Sequence, residues 1–140
     1  MGYEFIDHTA DVAADLTGRT VEELFTSAAQ ALTDTITHLD AVRPLVTQSV
    51  TLESGALADL LVDWLNELLY RFEVQNMLVS DATVTIASAA DRWHLGGTLA
   101  GEPFDPARHP SRVLVKSATY HGLSVTREHG TWRARIVFDI

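Results

Sequence analysis

The sequence predicts a single α+β domain, residues 1–140, in which two main helices pack on a curved, mixed but largely antiparallel β-sheet. The 140 residues fall within the usual size of one domain, and a hydrophobic content of 46% is enough to form one core. Two segments have apolar residues at helical spacing, whereas the other patterned segments alternate apolar with polar residues. The order of these elements ends in a run of strands, which favours helices layered on a sheet.

The N-terminal part of the chain is predicted to contain a strand region followed by a helix. Residues 3–17 alternate apolar and polar side chains with an interruption at residues 8–11, which indicates two short strands or one kinked strand. Thr20 and Glu23 form a capping-box pattern, and apolar residues at helical spacing follow it. We therefore expect a helix over residues 21–38.

The rest of the chain is predicted to contain one further helix and five strands. A leucine-rich stripe over residues 57–72 is typical of a central core helix. The strands are predicted at residues 46–53, 78–87, 92–102, 113–128 and 131–139, with an irregular proline-rich loop at residues 103–112.

A glycine-rich segment at residues 96–101 is superficially similar to a nucleotide-binding loop. It lies within a strand pattern and no helix follows it, so we expect a β-bulge or close packing of strands there instead. The sequence contains no Gly-x-x-x-x-Gly-Lys-[Ser/Thr] motif, no Gly-x-Ser-x-Gly elbow and no His-Glu-x-x-His helix. These familiar signatures of nucleotide, ester and peptide hydrolysis are therefore absent from the sequence.

The charge and composition of the chain argue against several kinds of function. Ten lysines and arginines against nineteen aspartates and glutamates give a net charge of −9, which argues against tight direct binding to RNA and favours cations or a basic partner. The chain has no cysteine, which excludes thiolate chemistry. No segment has the apolar length of a membrane span and the N-terminus has no signal-peptide pattern, so we expect a cytoplasmic protein.

Acidic groups occur where the strand patterns stop. Asp11 follows the first interruption, and Asp139 precedes Ile140, whose α-carboxylate adds another anionic oxygen group. Clustered carboxylates suit a hard divalent cation such as calcium, magnesium or manganese. Alternatively, each aspartate only caps a turn at the end of a strand. The sequence pattern leaves both interpretations open.

Lys116 is the one lysine among ten basic residues, the other nine being arginines. The strand pattern places it on the same face as Leu114 and Ala118. Because lysine is a compact charge whose pKa shifts readily on burial, and the chain otherwise uses arginine, we expect a specific role for it; the alternative is an exposed strand-end lysine. His8 and His121 are secondary candidates as ligands or proton donors, against the alternative of a single structural hydrogen bond.

Motifs along essentially the whole chain together resemble the archease family. They are residues 3–11 (YEFIDHTAD), 18–25 (GRTVEELF), 59–70 (DLLVDWLNELLY), 101–105 (GEPFD) leading to His109, 115–121 (VKSATYH), 132–135 (WRAR) and the final 138–140 (FDI). Their occurrence in the family's order makes the resemblance specific. It implies the archease fold.

The resemblance also implies a function. Members of this family are non-catalytic cofactor proteins of an RtcB-type tRNA-splicing RNA ligase, which uses GTP and manganese to join a 2′,3′-cyclic phosphate or 3′-phosphate end to a 5′-hydroxyl. They promote guanylylation of the ligase's active-site histidine and multiple turnover. The family's metal site corresponds to Asp11, Asp139 and Ile140, with calcium as the first expectation and magnesium or manganese as alternatives. A lysine implicated in activation corresponds to Lys116.

Two alternatives to the ligase function remain. Some archaeal relatives are linked to tRNA cytosine-5 methyltransferases as chaperone-like modulators, so a methyltransferase is the second partner that the resemblance implies. A free-standing metal-dependent enzyme is the third possibility, and it is disfavoured because no nucleophile or acid–base pair is recognisable beyond the carboxylates.

Overall fold

A computed structural model describes residues 2–7 and 11–140, except for the side chain of Asp7. Within these residues the elements are β1 (Gly2–Asp7), β2 (Asp11–Gly18), α1 (Val21–Ile36), a 3₁₀ turn (Leu39–Ala41), β3 (Val46–Ser54), α2 (Leu57–Gln75), β4 (Met77–Ala89), β5 (Arg92–Pro103), β6 (Ser117–Glu128) and β7 (Thr131–Asp139). The strands form a four-stranded sheet in the order β1-β2-β7-β6 and a three-stranded sheet in the order β3-β5-β4. All described strand pairs are antiparallel.

The predicted α+β class, with two helices packed on antiparallel strands, is confirmed. The strands divide between two sheets, where the sequence predicted one curved, mixed sheet. Alternation along a segment identifies a strand but does not specify its partner, and the pairing of β2 with β7 joins segments at opposite ends of the chain. The segment between β5 and β6, residues 104–116, crosses from one sheet to the other, and we call it the crossover loop.

Several element boundaries follow from local chemistry. Thr20 accepts a hydrogen bond from the backbone N–H of Glu23 at 3.1 Å, which confirms the predicted N-terminus of α1. Helix α1 ends at Ile36, two residues before the predicted end. The strand predicted from residue 113 begins only at Ser117, because the preceding residues belong to the crossover loop.

The two helices and both sheets share one core. Trp64 of α2 and Phe25 of α1 are fully buried, and the indole N–H of Trp64 donates to the carbonyl oxygen of Phe25 at 2.9 Å. Each sheet contributes buried side chains to the same cluster, including Phe138 of β7 and Leu99 of β5. In the described part of the chain, neither helix has the length and apolarity needed to cross a membrane.

The glycine-rich segment of β5 serves close strand packing, as predicted. A Cβ atom at Gly97 would collide with the carbonyl oxygen of Thr83, and one at Gly101 with the carbonyl oxygen of Leu78, both on β4. A Cβ atom at Gly96 would meet nothing within 4 Å. Adjacent glycines of one strand therefore differ in whether the packing requires them.

This difference predicts the effect of two matched substitutions. We expect Gly97→Ala to lower the free energy of unfolding by about 1–3 kcal/mol, because β4 must move away from β5. Gly96→Ala should change it by no more than about 0.5 kcal/mol. Urea denaturation of both variants measures the difference, and equal losses would show that packing against β4 is not the reason for glycine at position 97.

Candidate functional site

The start of β2 and the end of β7 bring two of the predicted site residues together. Asp11 and Asp139 are direct partners in the antiparallel register of these strands. Residues opposed in this way have Cα atoms about 4.5–5.5 Å apart and project their side chains to the same face of the sheet. The two carboxylates therefore occupy neighbouring positions, although they are separated by almost the whole chain.

Lys116 lies on the other side of the same strand end. Ser117 of β6 is the register partner of Asp139, and the backbone N–H of Lys116 donates to the carbonyl oxygen of Asp139 at 2.8 Å. The Lys116 side chain is exposed. Strand β7 thus ends between Asp11 on one side and Lys116 on the other.

The predicted strand face of Lys116 is wrong. Lys116 precedes β6, Leu114 is 77% exposed and Ala118 is buried, so these three residues do not share one face of a sheet. The crossover loop imposes this geometry, because its backbone is held by contacts to α1 and β7 and does not continue the ladder of β6.

A cavity of about 380 Å³ opens beside Asp11 and Ile140. Its apolar wall comes from β1, β2 and the crossover loop, and its polar lining includes Asp34 of α1 and Arg112 of the crossover loop. Asp139 is exposed at the strand end and is not among the lining residues. The arrangement is an open pocket with carboxylate oxygens at one border.

The carboxylate of Asp34, at this cavity, makes contacts that stabilise the fold. It accepts hydrogen bonds from the Tyr3 hydroxyl at 2.9 Å and from the Leu39 backbone N–H at 3.0 Å, and the Arg112 guanidinium lies 3.5 Å away. Burial, followed by the hydrogen bond to Asp34, raises the pKa of Tyr3 to about 12, so the phenol keeps its proton further into the alkaline range than an ordinary tyrosine. Asp34 was not predicted from the sequence, since an aspartate on a helix gives no sign of a distant partner.

The crossover loop is anchored by a buried carboxylate at the end of β5. Glu102 is 4% exposed and accepts hydrogen bonds from the Arg43 backbone N–H at 2.5 Å, the Arg43 side chain at 3.2 Å and the Arg108 side chain at 2.6 Å. The Nε2 atom of the fully buried His109 lies 3.3 Å from the same carboxylate. Burial alone would raise the pKa of Glu102, but the hydrogen bonds from Arg43 and Arg108, with His109, hold it well below its usual range.

The histidine of this anchor is oriented by the loop itself. The Asp105 backbone N–H donates to Nδ1 of His109 at 2.8 Å, so a neutral ring carries its proton on Nε2, which lies 3.3 Å from the Glu102 carboxylate but is not aligned for a hydrogen bond with it. Further along the loop, the Arg112 backbone N–H donates to the carbonyl oxygen of Ile36 at 2.9 Å. These contacts position Arg112 at the cavity and Lys116, four residues later in the chain, at the end of β7.

Of the two histidines predicted as secondary site residues, only His121 lies within the described residues. His8 lies outside the described residues. His121 is exposed on β6, in the stretch between Thr119 and Ser124 where the register with β7 is interrupted, and it does not line the cavity. Its backbone N–H donates to the Thr119 hydroxyl at 3.3 Å. Across residues 2–7 and 11–140, no three histidine, aspartate or glutamate side chains are grouped closely enough to form a metal site by themselves.

Comparison with known proteins shows the family of the chain. Residues 3–140 match the sequence model of the Archease protein family (MTH1598/TM1083). Protein archease of Methanopyrus kandleri is 44% identical over 140 residues, which is 100% of each chain. Protein archease of Methanosarcina mazei is 37% identical over 139 residues, covering 99% of this chain and 95% of that one.

Solved structures agree with this result. The solution structure of Methanobacterium thermoautotrophicum protein 1598 has a TM-score of 0.85 to this chain at 32% identity, with 99% of both chains covered. The crystal structure of an archease, described as a possible chaperone, from Thermotoga maritima has a TM-score of 0.51 at 21% identity, covering 96% of this chain and 94% of that one, and shows likeness of fold alone. Because the family match and the relatives span nearly its whole length, this chain belongs to the archease protein family.

Proposed function

We propose that this chain is a non-catalytic accessory protein that activates an RtcB-type, GTP-dependent RNA ligase in tRNA splicing or RNA repair. Membership of the archease family supports the proposal. The observation that carries it is the register pairing of Asp11 with Asp139, beside which the Lys116 backbone is hydrogen-bonded. Two carboxylates and a cation thus stand at one accessible end of the four-stranded sheet.

The donor chemistry of this end fits a hard divalent cation. Asp11 and Asp139 offer carboxylate oxygens from adjacent strand positions, and Ile140 lines the same cavity as Asp11. We assign Asp11 and Asp139, with a main-chain oxygen of Ile140, as the ligands, and calcium, magnesium or manganese as the ion. Bound there, the ion supplies positive charge to an incoming phosphate. The protein's own contribution is to hold the carboxylates in place on two paired strands, so that little reorganisation is needed on binding.

Lys116 and the acidic surface have separate roles in this proposal. The exposed ammonium group of Lys116 reaches a phosphate or a carboxylate of the ligase during guanylylation, where negative charge is brought close to the attacking histidine. The net charge of −9 complements the basic RNA channel of a ligase and disfavours tight binding of RNA by the chain itself. The proposed setting is the cytoplasm.

The test is a ligation assay with a cognate ligase, GTP, manganese and RNA ending in a 3′-phosphate. Adding the chain in substoichiometric amounts should raise both the rate of ligase guanylylation and the number of turnovers. Lys116→Met should lose most of the stimulation, whereas Arg92→Gln, a charge removal on the other sheet, should keep it. Unchanged turnover with the native chain would overturn the proposal.

A chaperone-like role toward a tRNA cytosine-5 methyltransferase is the second candidate. It is favoured by the description of the Thermotoga maritima archease as a possible chaperone. Light scattering of a heated methyltransferase, with and without the chain, distinguishes the two functions, since a ligase activator has no reason to suppress that aggregation. Suppression that is unaffected by Lys116→Met, together with no effect on the ligase, would favour the second candidate.

A further inference from the structure

Six of the nine arginines of this acidic chain form ion pairs within the described residues. Ion pairs join an aspartate or glutamate to Arg43, Arg71, Arg92, Arg108, Arg112 and Arg135. Arg127 lies over the ring of Trp132, 5.9 Å from its centroid. Neither Arg19 nor Arg133 is seen in an ion pair or side-chain hydrogen bond within the described residues, but Arg133 lies close enough to Asp15 for its charge to help lower the pKa of that carboxyl. Asp15 already forms an ion pair with Arg135, so Arg133 adds a positive charge that no separate carboxylate balances.

Arg133 lies at the centre of an outward face of the four-stranded sheet. Along β7, the exposed Arg133 and Arg135 alternate with the buried Ala134 and Ile136, so the two arginines project away from the helices. In the sheet register, Arg133 stands between Thr17 of β2 and Thr126 of β6. The Arg133 guanidinium therefore has a hydroxyl-bearing neighbour on either side.

The adjacent row of the sheet supplies a second, oriented arginine. Arg135 stands between Asp15 of β2 and Ser124 of β6, and its Nε and Nη2 atoms donate to the two carboxylate oxygens of Asp15 at 2.8 and 3.1 Å. This bidentate pair uses one edge of the guanidinium and leaves its other donors available. Asp15 thus interacts with both arginines, and the three side chains together carry one net positive charge.

The residues around Arg133 and Arg135 line a cavity. A cavity of about 340 Å³ is lined by Thr17, Ser124, Thr126, Arg133 and Arg135 together with Asp15 and Gly122. One wall comes from the interruption of the β6–β7 ladder between Thr119 and Ser124, where Gly122 has a positive φ of 65°. The size is within the range of small-molecule sites. We call this cavity the arginine groove.

We propose that the arginine groove is a binding site for a phosphate group. A guanidinium fork flanked by hydroxyl donors matches the geometry of a tetrahedral oxyanion, and the one net positive charge of Arg133, Arg135 and Asp15 attracts it. Free nucleotides and an RNA strand carry this same group. Asp15 and its pairing with Arg135 would limit affinity, which suits a contact that is made and released. The inference does not rest on the proposed function, because the groove lies four or more register positions from Asp11 and Asp139.

The test is a titration of the isotope-labelled chain followed by NMR, first with inorganic phosphate and then with guanosine monophosphate and a short oligouridylate. Sodium chloride at matched ionic strength corrects for salt. We expect saturable shifts centred on Thr17, Ser124, Thr126 and Arg133. A lower dissociation constant for the oligouridylate than for the mononucleotide would identify a strand as the source of the phosphate, and equal constants would identify an isolated group.

Variants with opposite expected effects make the test decisive. Arg133→Gln should weaken binding about tenfold, since it removes a charge-assisted contact. Asp15→Asn should strengthen it about fivefold, because a repelling carboxylate is lost and Arg135 is released. Arg92→Gln, an equal charge change on the other sheet, should alter it less than about twofold. Shifts spread over the whole surface, or equal weakening by Arg133→Gln and Arg92→Gln, would overturn the proposal.

Discussion

Replacing Asp139 with asparagine is expected to abolish activation of the ligase and to weaken divalent-cation binding by about 100-fold or more, while the chain stays folded. The substitution keeps the size of the side chain and removes its charge, and an ionised carboxylate is the ligand that a hard cation requires. The fold should tolerate it because Asp139 is exposed and its described contacts are made by the backbone, including the carbonyl oxygen that accepts from Lys116. Calorimetric titration with calcium, magnesium and manganese, beside the ligation assay, measures both effects.

Two further variants isolate the cause. Asp91→Asn is a matched control, since Asp91 is exposed in the β4–β5 turn at a φ of 60°, a backbone conformation that asparagine also accepts. It should bind cations and stimulate the ligase like the native chain. Asp11→Asn should reproduce the loss seen with Asp139→Asn. If only one of the two aspartates mattered, their register pairing would not be the basis of the site, and if neither did, the cation proposal would fail.

The secondary structure was predictable because its signals are local. The capping box at Thr20 and the leucine stripe of α2 act within a few residues of one another, so one segment of sequence contains all the relevant information. The same is true of the close packing at Gly97, which a glycine within a strand pattern already suggested. The division into two sheets was not predictable in this way, because it depends on which distant strands pair.

The residues of the candidate site could be predicted to lie together only from the family resemblance, because they are far apart in the sequence. Strand patterning placed Asp11 and Asp139 at strand ends, but their proximity arises from the antiparallel pairing of β2 with β7. The contacts of Glu102 are an example of what could not be predicted. Its motif was recognisable in sequence, yet its hydrogen bond to the backbone of Arg43 joins residues 59 positions apart, and no periodicity encodes such a contact.

Replacing Glu102 with glutamine is expected to lower the free energy of unfolding by about 2–3 kcal/mol at neutral pH. Glutamine has nearly the same shape, but it is neutral and presents an NH₂ group to a site surrounded by donors from Arg43, Arg108 and His109. Glu53→Gln is the control, because Glu53 is 56% exposed and its contact with Arg92 is 3.6 Å long. That change should cost less than about 0.5 kcal/mol.

The pH dependence separates loss of this charge from a general loss of packing. Because the pKa of Glu102 is lower in the folded chain than its ordinary value of 4.5, the carboxylate stabilises the fold fully above that value and loses its contribution as the pH falls below it. The difference between the native chain and Glu102→Gln in urea denaturation should therefore shrink on acidification, whereas a packing defect would persist at every pH. Glu102 also anchors the loop that brings the Lys116 backbone to Asp139, so hydrogen exchange in residues 104–116 should quicken in the variant. Cation affinity should fall with it, although residue 102 contributes no ligand, because the end of β7 would lose the contact that holds it on one side.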